Sequence, residues 1–325
     1  MPDEWFSMNK NNNTRSGHEL SAVFCCTPFQ AVLLNQVLEH EAVTRFHLVY
    51  MSLRDSEENY YYFHELAKRA EEAQFIGVRR MKFDIFTHVA SYLDINQKFR
   101  SSRYDKIILS SFDKLALRRF VAKHPDSTIV TFDDGSGNVN LQSSFAIRRN
   151  PRREDIYATM FGAPTHQSFI HIVTKHYSIY PMFTNIMPVD VIKFVDLFSA
   201  PARFDLAAPE ISLFIGQPVE NASRIRKMKE YISTIRPDYY ILHPHEEAPL
   251  VDGIALLEKK GKIAEEAIFE LSRDRQLTVI GGFSSVLLNI SPRLAKKVMV
   301  LDGRDSTDRY LATLGEKAGC EIVFL

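Results

Sequence analysis

Along the first half of the chain, short runs of apolar and β-branched residues alternate with longer segments in which apolar residues recur at every third or fourth position. The apolar runs cover residues 22–26, 46–51, 106–111 and 128–132, and the periodic segments cover residues 29–41 and 59–73. Strands that are buried on both faces and separated by helices are typical of parallel sheets. The pattern therefore predicts consecutive βαβ units.

A second series of the same kind fills the C-terminal part of the chain. Its predicted strands are residues 211–216, 239–242, 277–282, 297–301 and 321–325, and its predicted helices include residues 224–235 and 265–274. Between the two series, residues 146–183 are rich in aromatic and basic side chains. We predict helices and loops in that middle segment, without a strand.

The two series predict an α/β protein of GT-B type, with two Rossmann-like doubly wound domains that face a central cleft. We expect a disordered N-terminus (residues 1–20), a first domain with a helical extension (21–196), a linker (197–210) and a second domain (211–325). The carboxyl ends of the strands face the ligand in such folds. Periplasmic binding proteins and some isomerases share this arrangement, so the fold alone does not determine the function.

Composition restricts the classes of protein. The 325 residues include 40 Lys and Arg and 40 Asp and Glu, which excludes a protein that binds nucleic acid through a large basic excess. The three cysteines lack the spacing of a disulfide framework or a metal site, so we expect buried thiols in a reducing compartment. The N-terminus lacks the apolar region of a signal peptide, and no run reaches the roughly 18 apolar residues of a membrane span. We expect a cytoplasmic protein.

Two adjacent carboxylates follow the predicted strand that ends at Phe132. Asp133 and Asp134 precede Gly135 and Gly137, at a strand end where ligands bind. The same letters suit an ordinary turn, and paired carboxylates can also hold Mg²⁺. The sequence alone does not decide between a functional carboxylate, a turn and a metal site.

A histidine follows a predicted strand of the second series. His243 comes directly before Pro244, and an imidazole there can contact a phosphate and pass a proton to a leaving group. The alternative is a histidine that packs at the strand end. Glu246, three residues later, is a candidate ligand for a ribose.

Two further loops are candidates for donor binding. In the first, Gly282 and Phe283 precede Ser284 and Ser285, whose hydroxyls at a predicted helix start form either an anion site or an ordinary N-cap. In the second, Gly216 and Gln217 lead to Pro218 and to Glu220, the only carboxylate of that loop. Glu220 is either a general base or an acidic residue near the next helix start.

Several segments, taken in order, resemble the bacterial lipooligosaccharide sialyltransferases of glycosyltransferase family 52. The most specific are FCCTPFQ, MSLRDSEENYYYF, TFDDGSGN, HYSIYPMFTNIM, GQP, HP and FSS, and the likeness covers most of the chain after residue 20. The resemblance implies a metal-independent, inverting enzyme without a cofactor. It would move N-acetylneuraminic acid from CMP-sialic acid to a terminal galactose, in α-2,3 linkage, and the second domain would bind the donor.

The resemblance also implies roles for individual residues. His243 would contact the phosphate and act as general acid, and Ser284 and Ser285 would bind the phosphate. The other expected donor contacts are Gly216, Gln217, Pro244, Glu246, Gly282 and Phe283. Where the family places a catalytic Asp after the Gly-x-Pro loop, this chain has Val219, which leaves Glu220, Asp133 and Asp134 as candidates for the base.

Two other functions stay open at this point. The family includes enzymes that transfer glucose from a UDP donor, and a two-domain protein can bind a nucleotide sugar without chemistry. We also expect a homodimer that exchanges residues 177–187, a galactose-terminated oligosaccharide or lipooligosaccharide as partner, and no nucleic acid. Any association with the inner face of the inner membrane would be peripheral.

Overall fold

A computed structural model describes residues 19–54, 56–78, 84–99, 102–143, 146–147, 150–198, 209–217, 221–303 and 305–325. Within them, two parallel sheets follow one another along the chain. The first contains β1 (Leu20–Cys25), β2 (Arg45–Ser52), β3 (Glu72–Gly77), β4 (Lys106–Leu109), β5 (Thr128–Phe132), β6 (Lys175–Ser178) and β7 (Ile192–Phe194). The second contains β8 (Glu210–Ile215), β9 (Tyr239–Ile241), β10 (Ala255–Leu256), β11 (Gln276–Gly281), β12 (Lys296–Leu301) and β13 (Cys320–Phe324).

Both sheets are doubly wound. The strand orders are β3-β2-β1-β4-β5-β6-β7 and β10-β9-β8-β11-β12-β13, so each sheet reverses direction beside its first strand. At such a reversal, the loops after the two central strands diverge and leave a crevice for a ligand. The reversals lie between β1 and β4 and between β8 and β11.

Helices cover the faces of both sheets. They are α1 (Pro28–His40), α2 (Glu57–Ala67), α3 (Asp84–Phe99), α4 (Leu115–Ala122), α5 (Pro151–Phe161), α6 (His166–Ile172), α7 (Ala222–Ile235), α8 (Ala264–Leu271), α9 (Ser285–Asn289) and α10 (Ser306–Lys317). Helix α1 shows how the sequence sets a helix start: the Thr27 hydroxyl accepts the Gln30 N–H at 3.3 Å, and Pro28 occupies the first turn.

Successive residues of β1 point to opposite faces of the first sheet, and each face builds its own core. Val23 packs with the apolar residues of α1 and α2, whereas Ala22 and Phe24 pack with those of α3 and α4. This two-sided burial explains why the strands appear in the sequence as nearly continuous apolar runs.

All nine predicted strands form, with ends that differ by one or two residues. The sequence did not reveal β3, β7 and β10, and the prediction that residues 146–183 contain no strand was wrong, because β6 lies there. β6 has the sequence Lys-His-Tyr-Ser, and these mostly polar residues do not give the apolar pattern of a buried strand. Its His176 is nevertheless fully buried beside β5. The helix predicted for residues 59–73 ends at Ala67, before β3.

Some predictions fall on residues outside the described ranges, including residues 1–18 of the N-terminus and residues 199–208 of the linker. The three cysteines are free and buried, as predicted. Among the described residues, no helix combines the length and apolar character needed to cross a membrane.

Candidate active site

The loops after the strands of both sheets face a cleft of about 500 Å³. Seven of the predicted site residues line it: Gly216, Gln217, His243, Pro244, Phe283, Ser284 and Ser285. The first domain contributes Thr27, Pro28, Phe29, Glu58 and Ser136. Parallel strands bring these loops together because their carboxyl ends meet at one edge of each sheet.

His243 lies two residues after the end of β9 and lines the cleft. Its Nδ1 accepts the backbone N–H of His245 at 3.1 Å, so the neutral ring carries its proton on Nε2. Burial lowers the pKa of His243 from 6.5 to about 4, helped by the nearby charges of His245, Arg54 and Lys259. At pH 7 the ring is therefore a neutral hydrogen-bond donor, and an anion beside it would raise its pKa.

Glu246 holds the loop that carries His243. Its carboxylate accepts the His243 N–H at 2.9 Å and the Tyr240 hydroxyl at 3.0 Å. Burial raises the pKa of Glu246 although these hydrogen bonds oppose the shift. A Cβ at Gly216 would overlap this carboxylate, so glycine makes room there for a protein side chain.

The two serines differ in their contacts. The Ser284 hydroxyl accepts the Leu287 N–H at 3.4 Å and caps α9, as the alternative interpretation predicted. The Ser285 hydroxyl lies 3.0 Å from the Ser136 hydroxyl of the first domain. Helix α9 has only five residues, so its dipole is small. An anion at this loop would therefore be bound mainly by the two hydroxyls.

The glycine pair that precedes the serines also serves the protein's own packing. A Cβ at Gly282 would overlap the side chain of Gln217, and a Cβ at Gly281 would come within 3.1 Å of the Ile215 carbonyl oxygen. The glycines thus bring the loops after β8 and β11 close together, which places Gln217 beside the cleft.

Asp133 lies inside the first domain and does not line the cleft. It is fully buried, and its carboxylate lies 3.1 Å from His176 Nε2 and accepts the Ile179 N–H at 2.9 Å. The Asn185 side-chain amide donates to it at 3.3 Å. These contacts tie β5 to β6 and to the loop that follows β6.

Asp134 is partly exposed and does not itself line the cleft; it precedes Gly135, at which an added Cβ would lie 3.7 Å from the Ser285 hydroxyl. One carboxylate oxygen accepts the Ser111 hydroxyl at 2.8 Å and a hydrogen bond from Gln30. Burial raises the pKa of Asp134 to about 6, although Lys114 lowers it. A carboxylate with such a pKa is close to the optimum of a general base at neutral pH.

Glu220, Val219 and Pro218 lie outside the described residues, so Glu220 remains a prediction from the sequence. Among the described residues, no group of three or more His, Cys, Asp or Glu side chains is arranged to hold a metal ion.

The structure brings two further charged groups into the cleft. Glu265, in the first turn of α8, is buried and accepts the Asn289 side-chain amide at 2.7 Å, and burial raises its pKa. Lys259 precedes α8 and forms an ion pair with Glu58 of α2. In the sequence, both residues belong to ordinary charged segments around a helix start, and no local signal distinguishes them.

Comparison with known families gives an independent result. The sequence model of glycosyltransferase family 52 matches residues 43–304. A relative from Haemophilus influenzae, named N-acetyllactosaminide α-2,3-sialyltransferase, is 25% identical over 278 residues, which cover 83% of this chain and 88% of the relative. A protein of the same name from Neisseria meningitidis is 24% identical and covers 79% of this chain and 71% of its own length.

Solved structures share the fold. The α/β-galactoside α-2,3-sialyltransferase of Photobacterium phosphoreum aligns with a TM-score of 0.56 at 12% identity, over 94% of this chain and 99% of that one. The UDP-GlcNAc 2-epimerase of Neisseria meningitidis aligns with a TM-score of 0.52 at 11% identity, over 93% and 94%. These alignments and the two doubly wound sheets confirm the predicted GT-B fold.

Proposed function

The chain belongs to glycosyltransferase family 52, and we propose that it moves N-acetylneuraminic acid from CMP-sialic acid to a terminal galactose of lipooligosaccharide-type acceptors, in α-2,3 linkage. The observation that carries the proposal is that His243, whose neutral ring carries its proton on Nε2, lines the same cleft as Ser284 and Ser285. The family match and the activity named for the relatives support it.

The phosphate of the donor would lie between His243 and the two serines. Its negative charge would raise the pKa of His243 and favour the imidazolium. As the bond between the anomeric carbon and the phosphate oxygen breaks, its electron pair goes to CMP, and the His243 proton neutralises the departing phosphate. Gly216, Gln217, Pro244, Gly282 and Phe283 shape the donor side of this cleft, and Glu246 remains the proposed ribose contact.

The acceptor hydroxyl attacks the anomeric carbon from the opposite side, so the reaction inverts the configuration. We propose Asp134 as the base that removes its proton. Asp134 is partly exposed, lies two residues before Ser136 of the cleft and has a pKa of about 6, whereas each oxygen of Asp133 faces a protein donor inside the domain. Glu220 is the alternative base.

No cofactor takes part in this mechanism, and we expect no requirement for a divalent cation. We further propose that the protein works in the cytoplasm, at most peripherally attached to the inner membrane, and that it forms a homodimer. The segment proposed for exchange, residues 177–187, includes Tyr180, whose hydroxyl donates to Asn289 of the second domain of the same chain.

Release of CMP tests the donor and the metal requirement together. CMP-sialic acid is incubated with the enzyme in EDTA, with and without lactose, and UDP-glucose is used as a second donor. We expect lactose-dependent release of CMP and none of UDP. Release of UDP alone would contradict the proposal in favour of a glucosyltransferase, and nucleotide binding without any release would favour a binding protein.

A further inference from the structure

The proposed donor has two negatively charged groups, and the phosphate site described above accounts for only one of them. CMP-sialic acid carries a phosphate and also a carboxylate, which is bonded directly to the anomeric carbon. Any site that holds the phosphate at His243 must therefore accommodate a second anion within a few ångströms. Among the described residues that line the cleft, Lys259 is the only lysine or arginine.

Lys259 lies near the reacting groups. It lines the same cleft as His243 and Glu265; its charge adds to the effect of burial in lowering the pKa of His243 and opposes the rise that burial causes in the pKa of Glu265. Its side chain is 18% exposed, so an ion pair made there is less weakened by water than one on an open surface.

The present partner of Lys259 is itself a carboxylate. Glu58 extends from α2 of the first domain and pairs with the Lys259 ammonium across the cleft. The ammonium group has three donors and is aimed at a carboxylate from the opposite wall. Glu58 therefore marks a position in the cleft where Lys259 binds a carboxylate.

The neighbours of Glu58 fix it on this wall. Arg54 donates to the Pro244 carbonyl at 3.3 Å and contacts His245, while the Tyr62 hydroxyl accepts the Ile263 N–H at 2.9 Å. All three residues belong to the segment MSLRDSEENYYYF, which the mechanism above leaves without a role. The segment joins the first domain to the His243 loop and to the start of α8.

We propose that Lys259 binds the carboxylate of the donor sugar and that Glu58 occupies its place until the donor arrives. This inference rests on the proposed function. Binding of the donor exchanges one carboxylate partner of Lys259 for another, and glucose, which has no carboxylate, gains nothing from the exchange. Lys259 thus selects an acidic sugar independently of the nucleotide.

The test compares CMP, which lacks the sugar carboxylate, with the complete donor. For Lys259→Met we expect the KM for CMP-sialic acid to rise about 10- to 100-fold, as for the loss of a hydrogen-bonded charge partner. The Kd for CMP, measured by calorimetry, should change less than about threefold because CMP makes no such contact. Lys259→Arg should restore most of the donor affinity, since arginine also binds carboxylates.

Glu58→Gln should change the donor KM in the opposite direction, because it removes the carboxylate that competes for Lys259. We expect it to lower the donor KM several-fold without changing the Kd for CMP. Lys262→Met is the matched control: Lys262 lies three residues away and pairs with Glu270 outside the cleft. It should leave both constants unchanged.

Two results would overturn the inference while leaving the sialyltransferase activity of the wild-type enzyme intact. One is that Lys259→Met changes the Kd for CMP and the KM for CMP-sialic acid by the same factor, or changes neither. The other is a donor KM that rises in Glu58→Gln, which would make Glu58 a support for Lys259. A wild-type enzyme that transfers only from UDP-glucose would instead refute the proposed function itself.

Discussion

Asp133 and Asp134 are neighbours in sequence but have different environments. Asp133 is surrounded by donors from β6 and from the loop after it, and no part of it is exposed. Asp134 is partly exposed, and one of its oxygens accepts the Ser111 hydroxyl. Burial without full compensation raises the pKa of Asp134 to about 6. The environment of each carboxylate, rather than its type, is the reason that we propose Asp134 and not Asp133 as the base.

The pH dependence of kcat/KM tests this assignment. A base must be deprotonated, so activity should rise with pH through an acid limb near pH 6, the pKa of Asp134. The Ser111 hydroxyl donates to the carboxylate and lowers its pKa. Ser111→Ala should therefore move the limb to higher pH, by about one unit.

Thr165→Ala is a suitable control for that profile, because the Thr165 hydroxyl caps α6 outside the cleft. Its profile should match that of the wild type. An unmoved acid limb in Ser111→Ala would contradict the role of Asp134 and would favour Glu220 as the base.

The sequence was sufficient to predict which loops line the cleft, but not which residue carries out each step. The position of His243 and Ser285 in the cleft could be predicted because residues after buried parallel strands face the ligand, and that rule needs only the apolar pattern. The difference between Asp133 and Asp134 depends on β6, whose polar letters gave no strand signal. Lys259 and Glu58 lie 201 residues apart, so no local pattern could reveal their pairing.

At the scale of the elements, Glu41 connects the N-terminal ends of two strands of the first sheet, at the edge of the sheet that is remote from the cleft. It caps the C-terminus of α1 and contacts Lys106 of β4 at 2.6 Å and Lys175 of β6 at 2.5 Å. The Tyr177 hydroxyl donates to it at 2.7 Å. Burial would raise the pKa of Glu41, but these three partners outweigh it and lower the pKa to about 2.

Glu41→Gln should lower the free energy of unfolding by roughly 1–3 kcal/mol at pH 7, since two lysines lose their counter-charge. Because the folded pKa lies below the unfolded value of 4.5, the contribution is complete above pH 4.5 and is lost as the pH falls towards 2. Urea unfolding at pH 7 and at pH 3 measures both effects, and the difference from wild type should shrink at pH 3.

Glu71→Gln provides the comparison for Glu41→Gln. Glu71 pairs with Arg45 on the surface, where both side chains are about 40% exposed, and such pairs contribute little. It should leave the unfolding free energy nearly unchanged. An equal loss in both variants, or a loss in Glu41→Gln that persists at pH 3, would contradict the role given to Glu41.

At the scale of the whole molecule, the two domains meet at several points around the cleft. Ser136 contacts Ser285, and Tyr180 contacts Asn289, which in turn donates to Glu265 in the cleft. The segment that contains Glu58 adds a third contact. The two walls of the cleft therefore come from different domains, and the proposed reaction requires that they keep their relative position.

The loss of His243 tests the central claim most directly, because the proposed chemistry passes its proton through that ring. In EDTA, with CMP-sialic acid and lactose, His243→Ala should reduce kcat by about 10²- to 10⁴-fold. His171→Ala is the matched control, since His171 is exposed in the last turn of α6, outside the cleft. It should stay within about tenfold of wild type. A His243→Ala enzyme that keeps a near-wild-type kcat would contradict the account.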